Sequence, residues 1–461
     1  MQTIVIGGGI SGLVCTYRLR QMGIPAVLLE QADRVGGLIE SVEQDGFLFE
    51  LGPQSFLSTE ALRELIDELG LTRELLQADP RAPRYVLAGG RLRRVPLGPR
   101  AFLTTSLLGP GTKLRFLLEA LGKSQPPESD ESVADFVRRK FGKELLEHLV
   151  EPFVSGIHAG DPEKLSLRNA FPTAYQWERD FGSVVRGALK SRPPKEKPRP
   201  TLCSFRKGVA TLVRALSAKL GASLHCGARV ESIHWGKADA GSPFELQVTG
   251  NGRTEFLPAR VVVLATEAPS VGRLLAGIEY GESFAEIEYA PVAVVGAGYR
   301  QDQIGRPTEG FGFLVARQEG FRLLGTVWNS SLFPDRAPEG MVNFTSFAGG
   351  ATDPTLCQLG EERIAETVLG ELAAVMRITG APATRMVRCY DRALPQYNLG
   401  HSETIARVLK RCAALPGLFL TGNYFEGPSV GACVEHALRT AQLVQQYLAS
   451  MGETSRAHGA G

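Results

Sequence analysis

Four short, solidly apolar runs stand at wide intervals along the chain: Thr3-Ile4-Val5-Ile6, Ala26-Val27-Leu28-Leu29, Val261 to Thr266 and Leu418 to Thr421. Runs of this length, rich in β-branched residues and without alternation, predict strands buried on both faces of a parallel sheet. Between the first two, Leu13, Tyr17 and Arg20 recur at helical spacing until Gly23 stops the helix. Helices are also predicted over Leu212, Leu216 and Leu220, from about 361 to 376, and from about 431 to 448. Phe47-Leu48-Phe49 reads as a strand leading into Glu50-Leu51-Gly52-Pro53, and another strand is expected to end at Ala228-Arg229-Val230. Between about 290 and 400 the pattern changes to longer strands, over 292–299, 311–315, 321–328 and 341–347. Their alternation is imperfect, which suits a sheet covering a cavity on one face. From about 88 to 203 the pattern is largely helical, as at Val133-Phe136-Val137 and Leu145-Leu146-Leu149. It closes on the proline-rich stretch 191–200, a polar loop not expected to hold one structure. No internal repeat is present.

Composition narrows the function classes. The 461 residues carry 51 Lys+Arg against 49 Asp+Glu, a net charge of +2 that supplies no basic field for nucleic acid. Seven cysteines, an odd number without a C-x-x-C pair, argue against a disulfide scaffold and a zinc cluster and for a reducing cytosol. No run of 18 apolar residues and no leader-like start occur, so a cytoplasmic protein is expected. One stretch modifies that picture. Residues 96–123 are apolar and carry Arg100, Lys113, Arg115 and Lys123 against Glu119. Such a basic amphipathic stretch can lie on an anionic membrane surface, or equally form a cavity wall or the core of the helical part.

The 52 glycines exceed the usual 7% or so, and they gather at a few turns. Gly7-Gly8-Gly9-Ile10-Ser11-Gly12 follows the first strand and opens the first helix, and Glu30 ends the second strand 18 residues beyond Gly12. This is the complete dinucleotide fingerprint. Gly7 permits the turn, Gly9 lets the backbone approach a pyrophosphate, and Gly12 lets helix pack on strand. The Ile10-Ser11 helix start offers N–H groups to phosphate, and Glu30 can accept from both ribose hydroxyls. Downstream, Arg34-Val35-Gly36-Gly37 can lie against the same pyrophosphate, with Arg34 meeting its charge, and Gly52-Pro53 makes a tight turn. No second G-x-G-x-x-G exists to hold NAD(P)H. A further glycine turn, Gly422-Asn423 to Val430-Gly431, separates the last strand from the last helix and suits a second helix start aimed at the cofactor.

R-x-G-G after the ribose acid resembles the amine-oxidase and phytoene-desaturase type of FAD flavoprotein. Three other segments are more specific: Ser155-Gly156-Ile157-His158-Ala159-Gly160-Asp161 with Leu165-Ser166, Gly310 to Val315, and Leu394-Pro395-Gln396-Tyr397-Asn398-Leu399-Gly400-His401. With these the chain resembles, from Gly7 to about Tyr447, the oxygen-dependent protoporphyrinogen oxidases and coproporphyrinogen III oxidases of haem biosynthesis. The resemblance implies an α/β fold: a Rossmann-like, p-hydroxybenzoate-hydroxylase-like FAD domain, a mixed or antiparallel substrate sheet and a helical, membrane-binding insertion. The expected division is 1–87, 204–289 and 403–461 for the FAD domain and tail, 88–203 for the insertion, and 290–402 for the substrate sheet. It also implies FAD contacts at Val230, Gly422, Asn423, Val430 and Gly431. Arg84 would pair with a substrate propionate, Leu314 and Phe347 would sandwich the macrocycle, and Gly156 would lie beside the cavity. On the residues alone, Arg84 reads as a surface ion-pair partner, and Leu314 and Phe347 as sheet core. Gly427 to Cys433 departs from the family's usual segment, and Gln54 is given no role.

The implied reaction is a six-electron, O2-dependent aromatisation of protoporphyrinogen IX, with coproporphyrinogen III as the alternative substrate. An FAD amine oxidase, a carotenoid desaturase and a non-enzymatic flavoprotein are the rival readings. No catalytic side chain is named and no metal is expected. His158 and His401 read as structural hydrogen-bond partners, and the cysteines as small buried apolar residues. A homodimer and hand-over of product to a chelatase complete the expectations.

Overall fold

The computed structural model describes residues 2–191, 200–236, 242–276 and 282–458. Most of the proline-rich stretch, 192–199, and the end of the chain, 459–461, lie outside the described residues.

The four apolar runs assemble as their pattern predicts. Strands β1 (Thr3–Ile6), β2 (Ala26–Leu29), β6 (Val261–Leu264) and β12 (Leu418–Leu420) join the short Leu224–His225 in one five-stranded parallel sheet. Val5 pairs with Leu28 on one side and Val263 on the other, and Val263 pairs with Phe419. Val5, Leu28 and Val263 are fully buried because both faces are covered. Helices α1 (Ile10–Gln21), α4 (Ala210–Leu220) and α7 (Val430–His458) pack one face through Leu13, Leu216 and Val434. Helix α6 (His401–Cys412) and a three-stranded antiparallel sheet spanning 229–259 cover the other.

A second sheet has seven strands. β4 (Arg84–Ala88) and β5 (Arg91–Arg94) come from the first quarter of the chain. β7 (Tyr289–Arg300), β8 (Gly312–Val315), β9 (Leu323–Trp328), β10 (Met341–Gly349) and β11 (Thr384–Pro395) come from the later region. Their order is β11-β7-β10-β9-β8-β4-β5, antiparallel throughout except between β8 and β4. Helix α5 (Glu361–Met376) covers one face through Ile364, Val368 and Leu372 against Ala293, Val295 and Phe344. Helices of the insertion, α2 (Pro110–Leu121) and α3 (Glu151–His158) among them, gather with Val86 and Ala88 on the other face.

Three expectations need correction. A boundary at 87/88 cuts through β4, because the 84–94 hairpin pairs with β8 and belongs to the large sheet. Arg229 begins the strand Arg229–Trp235 instead of ending one, because Gly227, at φ +67°, turns the chain before it. The cysteines are not uniformly buried: Cys226 is exposed, and Cys357 and Cys389 are half-buried.

Candidate functional site

The glycine turns converge at the C-terminal edge of the parallel sheet, where open α/β sheets bind ligands. Gly7 stands at φ +110°, and its N–H continues the ladder to Leu29 O at 2.9 Å. A Cβ on Gly12 would sit 1.9 Å from Gly7 O, so only glycine lets α1 start this close to the strand. A Cβ on Gly9 would meet nothing within 4 Å, so this backbone opens onto free space in front of the helix N-terminus. The first turn of α1 carries no acidic side chain, which leaves its positive end available to phosphate. Ile10 and Ser11 are buried there, and the Ser11 hydroxyl meets the Cys433 thiol, tying α1 to α7.

Glu30 accepts from the Gly8 N–H at 2.6 Å through Oε2 and from the Ala32 N–H at 2.8 Å through Oε1. Each oxygen keeps acceptor capacity for a ribose hydroxyl. Ala228 N–H donates to Glu30 O at 2.8 Å, which brings Val230 alongside. Gly36 N–H donates to Gly8 O at 2.8 Å, so the Gly36-Gly37 turn, at φ +112° and +57°, closes over Gly9. A Cβ on Gly52 would strike Leu38 O at 1.8 Å, and Pro53 follows at the rim. The C-terminal piece arrives with Thr421 N–H on Leu264 O at 2.9 Å. It presents Gly422 and Asn423, then Val430 at the start of α7, and the bare Gly431 lets Thr59 approach. The open backbone before Gly9, a free helix start and a carboxylate with spare acceptors fit the pyrophosphate and ribose of FAD.

Arg34 behaves differently from expectation. Its guanidinium donates to Val35 O, Ile39 O and Gly37 O and pairs with Glu40 at 3.2 Å. It clamps the glycine loop. Glu50 also serves structure: it accepts from Ser41 Oγ and from the Val209 N–H at 2.8 Å, capping α4. Burial raises its carboxyl to about 7 against the pull of those two hydrogen bonds.

The face of the large sheet opposite α5 carries the expected substrate residues. Val294, Phe347, Gly325, Leu314 and Val86 form one row in direct register across β7, β10, β9, β8 and β4. Cross-strand partners share a face, so Phe347 and Leu314 stand roughly 10 Å apart with side-chain-free Gly325 between them. In the adjacent row Arg84 pairs with Gly312, and its guanidinium lies over the Phe311 ring at 5.4 Å. Among the described residues it makes no hydrogen bond or ion pair. By contrast, Arg93 is spent on Ala88 O and Ser106 O, and Arg388 on Glu40. Helix α3 closes the slot from above. A Cβ on Gly156 would lie 2.3 Å from Leu314 Cδ2, so the glycine is what lets helix and strand meet.

Sequence reasoning missed part of this lining. Phe153 and Ile157, each 46 % exposed, flank Gly156 on the same face of α3. Their i, i+4 spacing was visible, but not which side faced the cavity. Tyr390, in register with Val292, has a buried hydroxyl without a partner, and burial pushes it up to about 12. Among the described residues of this lining there is no acid–base pair: burial drives His158 down to about 4, and its ring lies edge-on to Phe171 and Tyr397. His401 does make a structural hydrogen bond, to Tyr424 O at 2.9 Å.

Comparison with known proteins agrees with this geometry. Residues 10–445 match the model of the flavin containing amine oxidoreductases. The chain is 35% identical over 483 residues to protoporphyrinogen oxidase 1, chloroplastic, of Spinacia oleracea, covering 98% of this chain and 85% of that protein. It is 30% identical over 470 residues to the coproporphyrinogen III oxidase of Bacillus subtilis, covering 97% and 98%. A crystal structure from Exiguobacterium sp., assigned as a protoporphyrinogen oxidase, superposes with a TM-score of 0.82 at 25% identity over 96% of this chain and 98% of that one.

Proposed function

The chain belongs to the flavin containing amine oxidoreductase family, and from that premise we propose that it is an FAD-dependent porphyrinogen oxidase whose substrate is protoporphyrinogen IX. One observation carries the substrate reading: the apolar side chains of Leu314 and Phe347 share one face of the sheet beside the bare Gly156, with Arg84, whose guanidinium makes no hydrogen bond or ion pair among the described residues, two positions along β4 from the same row. A porphyrinogen is a largely apolar tetrapyrrole with carboxylates at its edge. Protoporphyrinogen IX has two propionates on one side, one of which an arginine can hold bidentately. Coproporphyrinogen III has four, and Arg93 and Arg388, in register with Val86 and Val294 on this face, are already occupied.

Bound FAD supplies the redox chemistry, accepting hydride from the substrate and passing electrons to O2. Aromatisation removes six electrons and six hydrogens, which three turns deliver to three O2 as H2O2. The protein's own work is orientation. Arg84 fixes the carboxylate edge, Leu314 and Phe347 hold the ring plane, and α3 presents backbone at Gly156 so that a flat ligand can approach. The neutral His158 and the absence of an acid–base pair among the described lining residues suit a reaction in which the hydride leaves carbon without side-chain proton transfer.

The exposed leucines of the insertion suggest where the enzyme meets a membrane. Residues 96–123 fold as Pro99–Thr104 and α2, and Leu103, Leu114, Leu117, Leu118 and Leu121 are all exposed. With Arg100 and Arg115 nearby, this face can dip into an anionic interface. Among the described residues, no helix is long and apolar enough to cross a membrane.

The deciding experiment compares kcat/KM for protoporphyrinogen IX and coproporphyrinogen III under air, followed by porphyrin fluorescence. A preference for the first supports the two-propionate slot. A preference for the second overturns it, and no turnover of either removes the enzyme reading.

A further inference from the structure

The segment from Leu394 to His401 touches both halves of the site. Gln396, 3 % exposed, donates through Nε2 to His158 O at 3.0 Å, the last residue of α3. Tyr397, 1 % exposed, lies edge-on to His158 and His401 with ring centroids 6.2 and 4.8 Å away. Its hydroxyl donates to the Asn423 carbonyl and faces the Gly427 N–H. His401 donates through Nε2 to the Tyr424 carbonyl at 2.9 Å. One buried segment therefore grips the end of the substrate-side helix and two successive carbonyls of the turn that follows β12.

A trans peptide points its C=O and N–H in opposite directions. With the Asn423 carbonyl held against Tyr397, the Tyr424 N–H must point away from it. With the Tyr424 carbonyl held by His401, the Phe425 N–H does the same. Tyr424 is fully buried and Phe425 half-buried, and neither N–H has a hydrogen-bond partner among the described residues. Buried N–H groups without partners are rare in folded proteins and costly, so an acceptor belongs there. The turn stands at the same edge of the parallel sheet as the start of α1.

We propose that Tyr397 and His401 are positioning residues of the flavin site: by holding the Asn423 and Tyr424 carbonyls, they aim the Tyr424 and Phe425 N–H groups at a hydrogen-bond acceptor of bound FAD. This rests on the FAD reading above. Through Gln396 the same segment also anchors α3 two residues from Gly156, so it sets the spacing between cofactor and substrate slot.

The test uses apoprotein of the parent, Tyr397→Phe, His401→Phe and His401→Gln, titrated with FAD by flavin fluorescence quenching, with the absorption spectrum of the bound flavin recorded. Tyr397→Phe and His401→Phe are expected to raise the FAD Kd about five- to ten-fold, the equivalent of losing one well-aimed hydrogen bond. They should also shift the bound flavin's visible band. His401→Gln, whose amide N–H can still reach the Tyr424 carbonyl, should restore both. Parent-like Kd and spectrum in folded Tyr397→Phe overturn the proposal, as does failure of His401→Gln to recover what His401→Phe loses. If the parent apoprotein takes up no FAD, the cofactor reading itself falls.

Discussion

Replacing Gly156 by alanine separates the stability of this protein from its function. The added methyl would lie 2.3 Å from Leu314 Cδ2, and the same methyl of Leu314 already lies 2.9 Å from where a Cβ on Gly325 would sit. Leu314 therefore fills the space that the two bare glycines leave between helix and strand. Reaching ordinary contact requires a shift of roughly 1 Å of helix or side chain, which changes the width of the slot. Two energies compete in the fold. Alanine gains about 1 kcal/mol over glycine inside a helix, while overpacking costs about 1–3 kcal/mol. The net change is small, between about zero and 2 kcal/mol of destabilisation. The slot has no such compensation. Narrowing it is expected to raise the porphyrinogen KM about ten-fold, or about 1.4 kcal/mol, with a smaller fall in kcat. Steady-state oxidation followed by porphyrin fluorescence, beside a urea titration of the same preparation, reads both. An unchanged KM in a folded variant would refute the placement of the substrate beside Gly156 and Leu314.

Other substitutions test other parts of the structure. Arg84→Ala should raise KM more than it lowers kcat, with Arg84→Lys intermediate because an ammonium lacks the bidentate fork; parent-like kinetics remove Arg84 from the site. Glu50 has its folded pKa raised from 4.5 to about 7, so the folded state holds this proton more tightly than the unfolded chain. Its stabilising contribution is therefore full below about pH 4.5 and is lost as pH rises to about 7, a decline of at most ~3 kcal/mol. Glu50→Gln should flatten that part of the stability profile measured by chemical denaturation, and an unchanged slope would contradict the assignment. Glu178 is fully buried in the insertion, where burial opposes its ionisation but hydrogen bonds from Arg139, Lys140 and Ser124 win and hold it at about 2. Glu178→Ala strands the buried Lys140 with Glu119 as its remaining ion partner and should cost about 3 kcal/mol in urea denaturation. Leu114→Ser with Leu118→Ser should lower partitioning onto anionic vesicles by about 100-fold, since each exposed leucine offers about 1.5–3 kcal/mol of burial; a parent that ignores such vesicles would disprove the lipid-facing reading.

Much of the cofactor half was legible in the sequence because its signals are local. The β1–α1–β2 unit, Glu30, the Gly36-Gly37 turn and the strands at 261 and 418 each announce themselves within a few residues. The substrate half depends on long-range pairing. Nothing around Arg84 says that it will lie beside Gly312, more than 200 residues away, because a strand's partner is chosen by tertiary packing. The Phe153–Ile157 stripe has helical spacing, yet a helix with apolar residues on several faces does not reveal which one meets a ligand. Arg34 shows the opposite failure. Its position in the motif was plain, but the loop carbonyls and Glu40 that claim its guanidinium come together only when the loop closes. Tyr397 and His401 were visible as part of a specific segment, while the carbonyls they hold are backbone atoms with no residue-type signature.

The strand order of the cofactor sheet also dictates when the protein can become a flavoprotein. β1 is flanked by β2, one helix away, and by β6, whose Val263 pairs with Val5 across more than 250 residues; β12 then docks on β6 from still further along the chain. The dinucleotide fingerprint is translated first, but the edge that completes its crevice emerges from the ribosome only after the insertion and the whole substrate sheet. Such non-local closure carries a large loop entropy and is slow. Flavin capture is thereby a late event, and the nascent chain must carry an unfinished, sticky half-sheet through most of its synthesis.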